Sequence, residues 1–113
     1  MHEMALSESI LKIMQDQAVS QKFTRVETVY LELGELACVT PEAILFCFDV
    51  VTRDSLADGA KLEISRSPGE ALCMNCGRHV RVDKRGQPCP ECDSYQLRIT
   101  AGEDMWIKEL EVE

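Results

Sequence analysis

Apolar residues return every third or fourth position over residues 4–20, where Leu6, Ile10, Ile13, Met14 and Ala18 share one side of a helix. Met4 and Met14 are expected to pack in the core, and Glu3 and Glu8 suit the positive end of the helix dipole. The period then drops to two. In TRVETVYLELGEL, Val29, Leu31 and Leu33 alternate with polar neighbours, so a strand is expected to end near Gly34, with Val26 on its opposite face. VTPEAILFCFDVV returns to the helical period, with Ile44, Cys47, Phe48 and Val51 on one face. Thr40 stands where it can cap this helix, Pro41 where a missing N–H costs nothing, and Glu42 where the dipole favours it. Cys47 is therefore expected to be a buried small hydrophobe, and Cys38, in the preceding loop, to pack as well.

Asp58-Gly59 signals a turn, and KLEIS a second strand with Leu62 and Ile64 inward. SPGE at 67–70 has the composition of a linker and TAGED that of a second break. MWIKELEVE closes the chain as a strand in which Leu110 and Val112 alternate with Glu109, Glu111 and Glu113. The pattern predicts an α+β fold, a small three-stranded sheet covered by two helices. The α+β domain takes residues 1–68 and 101–113, and a cysteine-rich insertion takes 69–100. That insertion is too short and too poor in large apolar residues to fold on its own core.

Composition narrows the function classes. A formal net charge of −8 repels phosphate backbones, so nucleic acid is not the expected partner, whereas metal cations and cationic protein surfaces are. No leader or membrane span is apparent, which points to the cytoplasm and to no membrane partner. In that compartment six cysteines serve better as thiols or metal ligands than as disulfides.

The insertion contains CMNCGRHVRVDKRGQPCPEC, in which Cys73-x-x-Cys76 and Cys89-x-x-Cys92 each sit in a tight turn, marked by Gly77 and by Pro88 and Pro90. Two such turns present four thiolates as a tetrahedron, a closed structural site for zinc(II) and enough to fold a small domain, here zinc-ribbon-like. Iron in a rubredoxin-like knuckle is the competing occupant. Val80, Val82, Leu97 and Ile99 supply short strands around the site, His79 is a spare nitrogen donor or a solvated loop residue, and Lys84 and Arg85 make a basic tip. No nucleophile with a base, phosphate loop or paired carboxylate marks an enzyme. A metal ribbon alone also fits a protein-binding adaptor that uses no second metal.

His2 stands beside the first amine of the chain, which is expected to be that of Met1 because a bulky second residue protects the initiator methionine. Amine, imidazole and the intervening backbone nitrogens lie within chelate-ring distance, a donor set that favours nickel(II) or copper(II) over zinc. Deprotonating those amides at a helix start breaks no internal hydrogen bond, since the first N–H groups have no acceptor; the helix dipole opposes it weakly. The bland alternative is a solvated chain end. MHE before a helix, LELGEL-x-C-V, PEAI-x-F-x-F and the two CxxC pairs together resemble the HypA/HybF family of hydrogenase maturation nickel metallochaperones, over essentially the whole chain. The resemblance implies a protein that carries nickel(II) as transient cargo to the hydrogenase large subunit, working with a nickel-insertion GTPase. It implies nickel ligation by His2 and Glu3 in the α+β domain. Structural zinc would be bound by Cys73, Cys76, Cys89 and Cys92. The lack of a histidine-rich store limits the expectation to delivery rather than bulk storage.

Overall fold

The computed structural model describes residues 3–113. Elements follow in the order α1 (Glu3–Gln21), β1 (Val26–Gly34), α2 (Pro41–Val51), β2 (Lys61–Ser67), β3 (Gly69–Cys73), β4 (His79–Val82), β5 (Leu97–Ala101) and β6 (Met105–Val112). They form two three-stranded sheets, in the orders β2-β1-β6 and β4-β3-β5. The chain divides into two compact units. One takes in the chain up to Leu31 together with Val39–Ser65 and Ile107–Glu113; the other is Glu32–Cys38 with Arg66–Trp106.

In the first unit α1 and α2 pack on one another. The buried side of α1 is narrow, consisting of Ser7, Ile10 and Met14 at helical spacing. α2 buries Ile44 and Phe48, and β1 buries Val26, Val29 and Leu31. The expected cap is present: the Thr40 side chain accepts from the Ala43 N–H at 3.2 Å, with Pro41 in the first turn. α1 ends on a 6→1 bond from the Phe23 N–H to the Ala18 carbonyl (3.2 Å), with Lys22 left-handed at φ 59°.

Hydrogen bonds set the strand directions. Val26 donates to Leu56, the Ser65 hydroxyl to Leu31 and Glu35 to Ser67; both positions rise together, so β1 and β2 run parallel with α2 as their crossover. Thr24 donates to Glu113 and Gly34 to Asp104, so β6 runs antiparallel to β1. The last strand thus rejoins the first sheet at its edge, as the alternation of MWIKELEVE requires.

The second unit has its own small core of Leu36, Ala71, Cys73, Val80, Val82 and Cys89, with Cys92, Leu97 and Ile99 packed against it. β3 pairs antiparallel with β4, setting Ala71 opposite Val80, and with β5, setting Ala71 opposite Ile99. Side chains from three strands therefore converge on one small residue. SPGE is not a linker: Ser67 ends β2, Gly69 begins β3, and Pro68 alone separates them. Gly69 is buried because its backbone lies against the Leu36 side chain and the Val82 carbonyl. Gly34 and Gly102 also meet backbone to backbone, leaving no room for a Cβ on Gly34.

Four packing expectations are corrected. Met4 is 37% exposed because it lies off the narrow buried stripe of α1. Cys38 is exposed, and Cys47 only half-buried beside Phe48. Val112 is 40% exposed, as suits an edge strand.

Candidate metal centre

Cys73 closes β3, where it pairs with Leu97 of β5, and the chain then turns back to β4. The turn is closed by the Gly77 N–H donating to the Cys73 carbonyl at 2.9 Å, with Gly77 left-handed at φ 75°. The second turn repeats this arrangement. Asp93 donates to the Cys89 carbonyl at 2.8 Å and is itself left-handed, at φ 64°. Asp93 thus takes in the second knuckle the place that Gly77 takes in the first. Asp is among the few residues that accept this backbone, because its short polar side chain bonds locally. The prolines flank the second knuckle, but Asp93 makes its turn.

Both turns direct N–H groups at sulfur. The Cys76 N–H lies 3.4 Å from Cys73 Sγ, the Glu91 N–H 3.4 Å from Cys89 Sγ, and Asn75 Nδ2 3.5 Å from Cys92 Sγ. These donors favour thiolate over thiol. Across the knuckles Cys73 Sγ lies 3.6 Å from Cys92 Sγ, and Cys76 Sγ 3.9 Å from Cys89 Sγ. All four sulfurs fall within 4.8 Å of one another. A tetrahedron of zinc–sulfur bonds of about 2.3 Å has edges of about 3.8 Å. The four positions fit that ion with little movement.

The four sulfurs are not equivalent without a metal. Cys73 is pulled down to about 6, first by the Cys76 N–H, while burial opposes the shift. At Cys76 the Arg78 N–H lowers the value, but burial and the Cys73, Cys92 and Cys89 thiols outweigh it and push it up to about 11. One cysteine near the thiolate state beside another held as thiol is how a cluster limits its mutual charge repulsion. A divalent cation removes that limit by displacing the remaining protons.

The other polar residues of this unit lie outside the cluster. His79 begins β4 opposite Leu72, is exposed and is not among the grouped donors. Arg85 is not a free basic tip: its Nε donates to the Leu36 carbonyl at 3.2 Å and its Nη2 to Glu103 at 2.6 Å, while Lys84 is exposed. Glu3 is the half-buried first residue of α1, and His2 lies outside the described residues. Among the described residues, the four cysteines are the only group of three or more histidine, cysteine or acidic residues placed to hold a metal. Asn75 and Asp93 were not legible as supports of the site from spacing. Setting CMNCG over CPECD would have brought out Asp93.

Comparison with known proteins shows the fold and the family. Two solved structures share the fold over nearly the whole chain. The solution structure of the Ni metallochaperone HypA from Helicobacter pylori has TM-score 0.73 at 24% identity, covering 99% of this chain and 97% of that one. A solution structure of HypA protein has TM-score 0.71 at 25% identity, covering 100% and 97%. The curated protein "Hydrogenase maturation factor HypA" of Alkalilimnicola ehrlichii is 54% identical over the full length of both chains, and that of Azotobacter vinelandii is 48% identical over the same span. Residues 1–112 match the family described as "Hydrogenase/urease nickel incorporation, metallochaperone, hypA". The chain belongs to the HypA family of nickel-incorporation metallochaperones, which are maturation factors and not catalytic enzymes.

Proposed function

We propose that this protein takes up nickel(II) at its N-terminus, through His2 and Glu3 and the nitrogens beside them, and delivers it to the large subunit of hydrogenase. The single observation that carries the reading is the commitment of the sulfur donors to one cluster. The clustered donors among the described residues are four cysteine sulfurs, in a unit whose core Cys73, Cys89 and Cys92 help to form. That is a structural site, with geometry suited to zinc and no ligand position left open for handing on cargo. A nickel chaperone with its sulfurs so committed needs its nickel ligands elsewhere, and the MHE stretch supplies nitrogen donors at a helix start. On this reading residues 1–68 and 101–113 are the nickel-binding domain and 69–100 the zinc-binding domain. The relatives' printed name favours hydrogenase over urease as the enzyme served.

Delivery requires partners. The large subunit receives the ion, and a GTPase of the maturation system accompanies insertion, in the cytoplasm, where cysteines stay reduced. Replacing His2 with alanine should abolish one equivalent of nickel binding while zinc content and circular dichroism stay unchanged. Adding one residue before Met1 should do the same, because it moves the amine away from the imidazole. Undiminished nickel uptake in both proteins, measured by equilibrium dialysis, would rule out the N-terminal site.

A further inference from the structure

β6 is the outer strand of the first sheet, and among the described residues no strand pairs with its free edge. Natural proteins blunt such an edge by shortening, by proline, by a bulge or by charged side chains, or they cover it; β6 has the charges, Lys108, Glu109 and Glu111, and these decide what can pair with it. β6 runs for eight residues, Met105–Val112, without a proline. Beside it lies a groove of about 490 Å³ lined by Ile13, Gln17 and Phe23 on one side and by Lys108, Leu110 and Val112 on the other. Ile13 and Val112 are 48% and 40% exposed, so this apolar lining is reachable from solvent.

The other face of β6 has opposite character. Glu109 and Glu111 are exposed there, and the Tyr30 hydroxyl donates to Glu111 at 2.9 Å. Carboxylates crowd this face. Glu27 is raised by a hydrogen bond and charge repulsion from Glu113, with Glu111 adding to it. Tyr30 is raised by its bond to Glu111, by burial and by the charges of Glu111, Glu109 and Glu63. An edge strand with an apolar groove on one face and stacked carboxylates on the other specifies its complement. A strand's side chains alternate faces, so the complement alternates too.

We propose that the β6 edge and its groove dock an extended segment of a partner protein that alternates apolar and basic residues, added to the sheet beside β6. The apolar side chains enter the groove and the basic ones neutralise Glu109 and Glu111. Backbone hydrogen bonds to the free edge hold the register. A second copy of this chain fits less well, because it brings the same carboxylates and the same net charge of −8 to the edge. Charge complementarity therefore selects a cationic partner strand.

The test uses the purified full chain at about 0.15 M salt, where diffuse attraction to an acidic protein is screened. Three synthetic peptides are titrated: one alternating valine and lysine, one alternating valine and glutamate, and one with the same valines and lysines grouped in blocks. The alternating basic peptide should bind about tenfold more tightly than either control and slow amide exchange in β6 but not in β2. Glu109→Lys with Glu111→Lys should weaken it about tenfold, and Ile13→Ser should weaken it with no change in the charge of the edge. Equal binding of the block peptide, protection away from β6, or full affinity in the variants would overturn the proposal. So would a concentration-dependent dimer that protects β6 without peptide, since the occupant would then be a second copy. No readout involves nickel, so failure here leaves the nickel assignment as it stands.

Discussion

Asp93 and Lys22 each hold a left-handed backbone that an L residue pays to adopt, at φ 64° and 59°. Asp93→Gly should therefore stabilise the second knuckle by up to about 1 kcal/mol, and Asp93→Val should cost about 1–2 kcal/mol. Urea melts of the metal-loaded protein measure both; equal stability of the two variants would mean that the backbone there is not held left-handed. Gly102 gives the opposite case. At φ 94° its Cβ would lie 2.6 Å from Gly69 Cα and 2.7 Å from the Pro68 carbonyl, so Gly102→Ala should destabilise by more than about 2 kcal/mol. Zinc uptake is also a residue-scale matter. With Cys73 near 6 and Cys76 near 11, Cys76 still carries its proton at neutral pH, and the ion must displace it. Binding should release at least about one proton per zinc in weakly buffered solution at neutral pH, and affinity should fall as the solution is acidified. The cysteine spacing was legible because each knuckle is made by chain neighbours. The glycine contacts were not, because Gly34, Gly69 and Gly102 meet only once the chain has folded back.

At the scale of elements, local chemistry was a good guide where an element is defined by its own ends. α2 starts at Pro41 under a Thr40 cap because cap, proline and acidic first turn lie within three successive residues. Thr40→Ala should cost about 1 kcal/mol of thermal stability, read from the melting curve of the helical signal. β3 was misjudged because Pro68 and Gly69 have linker chemistry. In place, the proline only separates two strands, and the glycine lets the backbone press against Leu36. The second sheet is expected to depend on metal, since two of the six buried residues of its core are cysteines of the metal-binding group. Zinc removal by a chelator should release the amides of β3, β4 and β5 to exchange while those of α1 and α2 stay protected. Persistent protection of β3 in the metal-free protein would show that the small core suffices by itself.

At the scale of the whole molecule, the proposed function assigns two kinds of metal chemistry to different donors. Thiolates are gathered in one compact unit, where the spacing of sulfur and the N–H donors around it suit a resident ion. The proposed nitrogen donors belong to the MHE stretch, of which Glu3 is the first residue of α1. A net charge of −8 favours divalent cations and repels nucleic acid. The α+β class followed from alternating periods in the sequence; the order of the first sheet did not, because β1 pairs with β6 from the far end of the chain, and neither did the place of Leu36 in the second core, from which α2 separates it in sequence. The central claim is that cargo and structural ion use different donors. X-ray absorption at the nickel edge, on untagged protein holding one nickel and one zinc, addresses it most directly. The account predicts a first shell of nitrogen and oxygen with no sulfur; nickel–sulfur scattering, with the amino-terminal donors unbound, would contradict it.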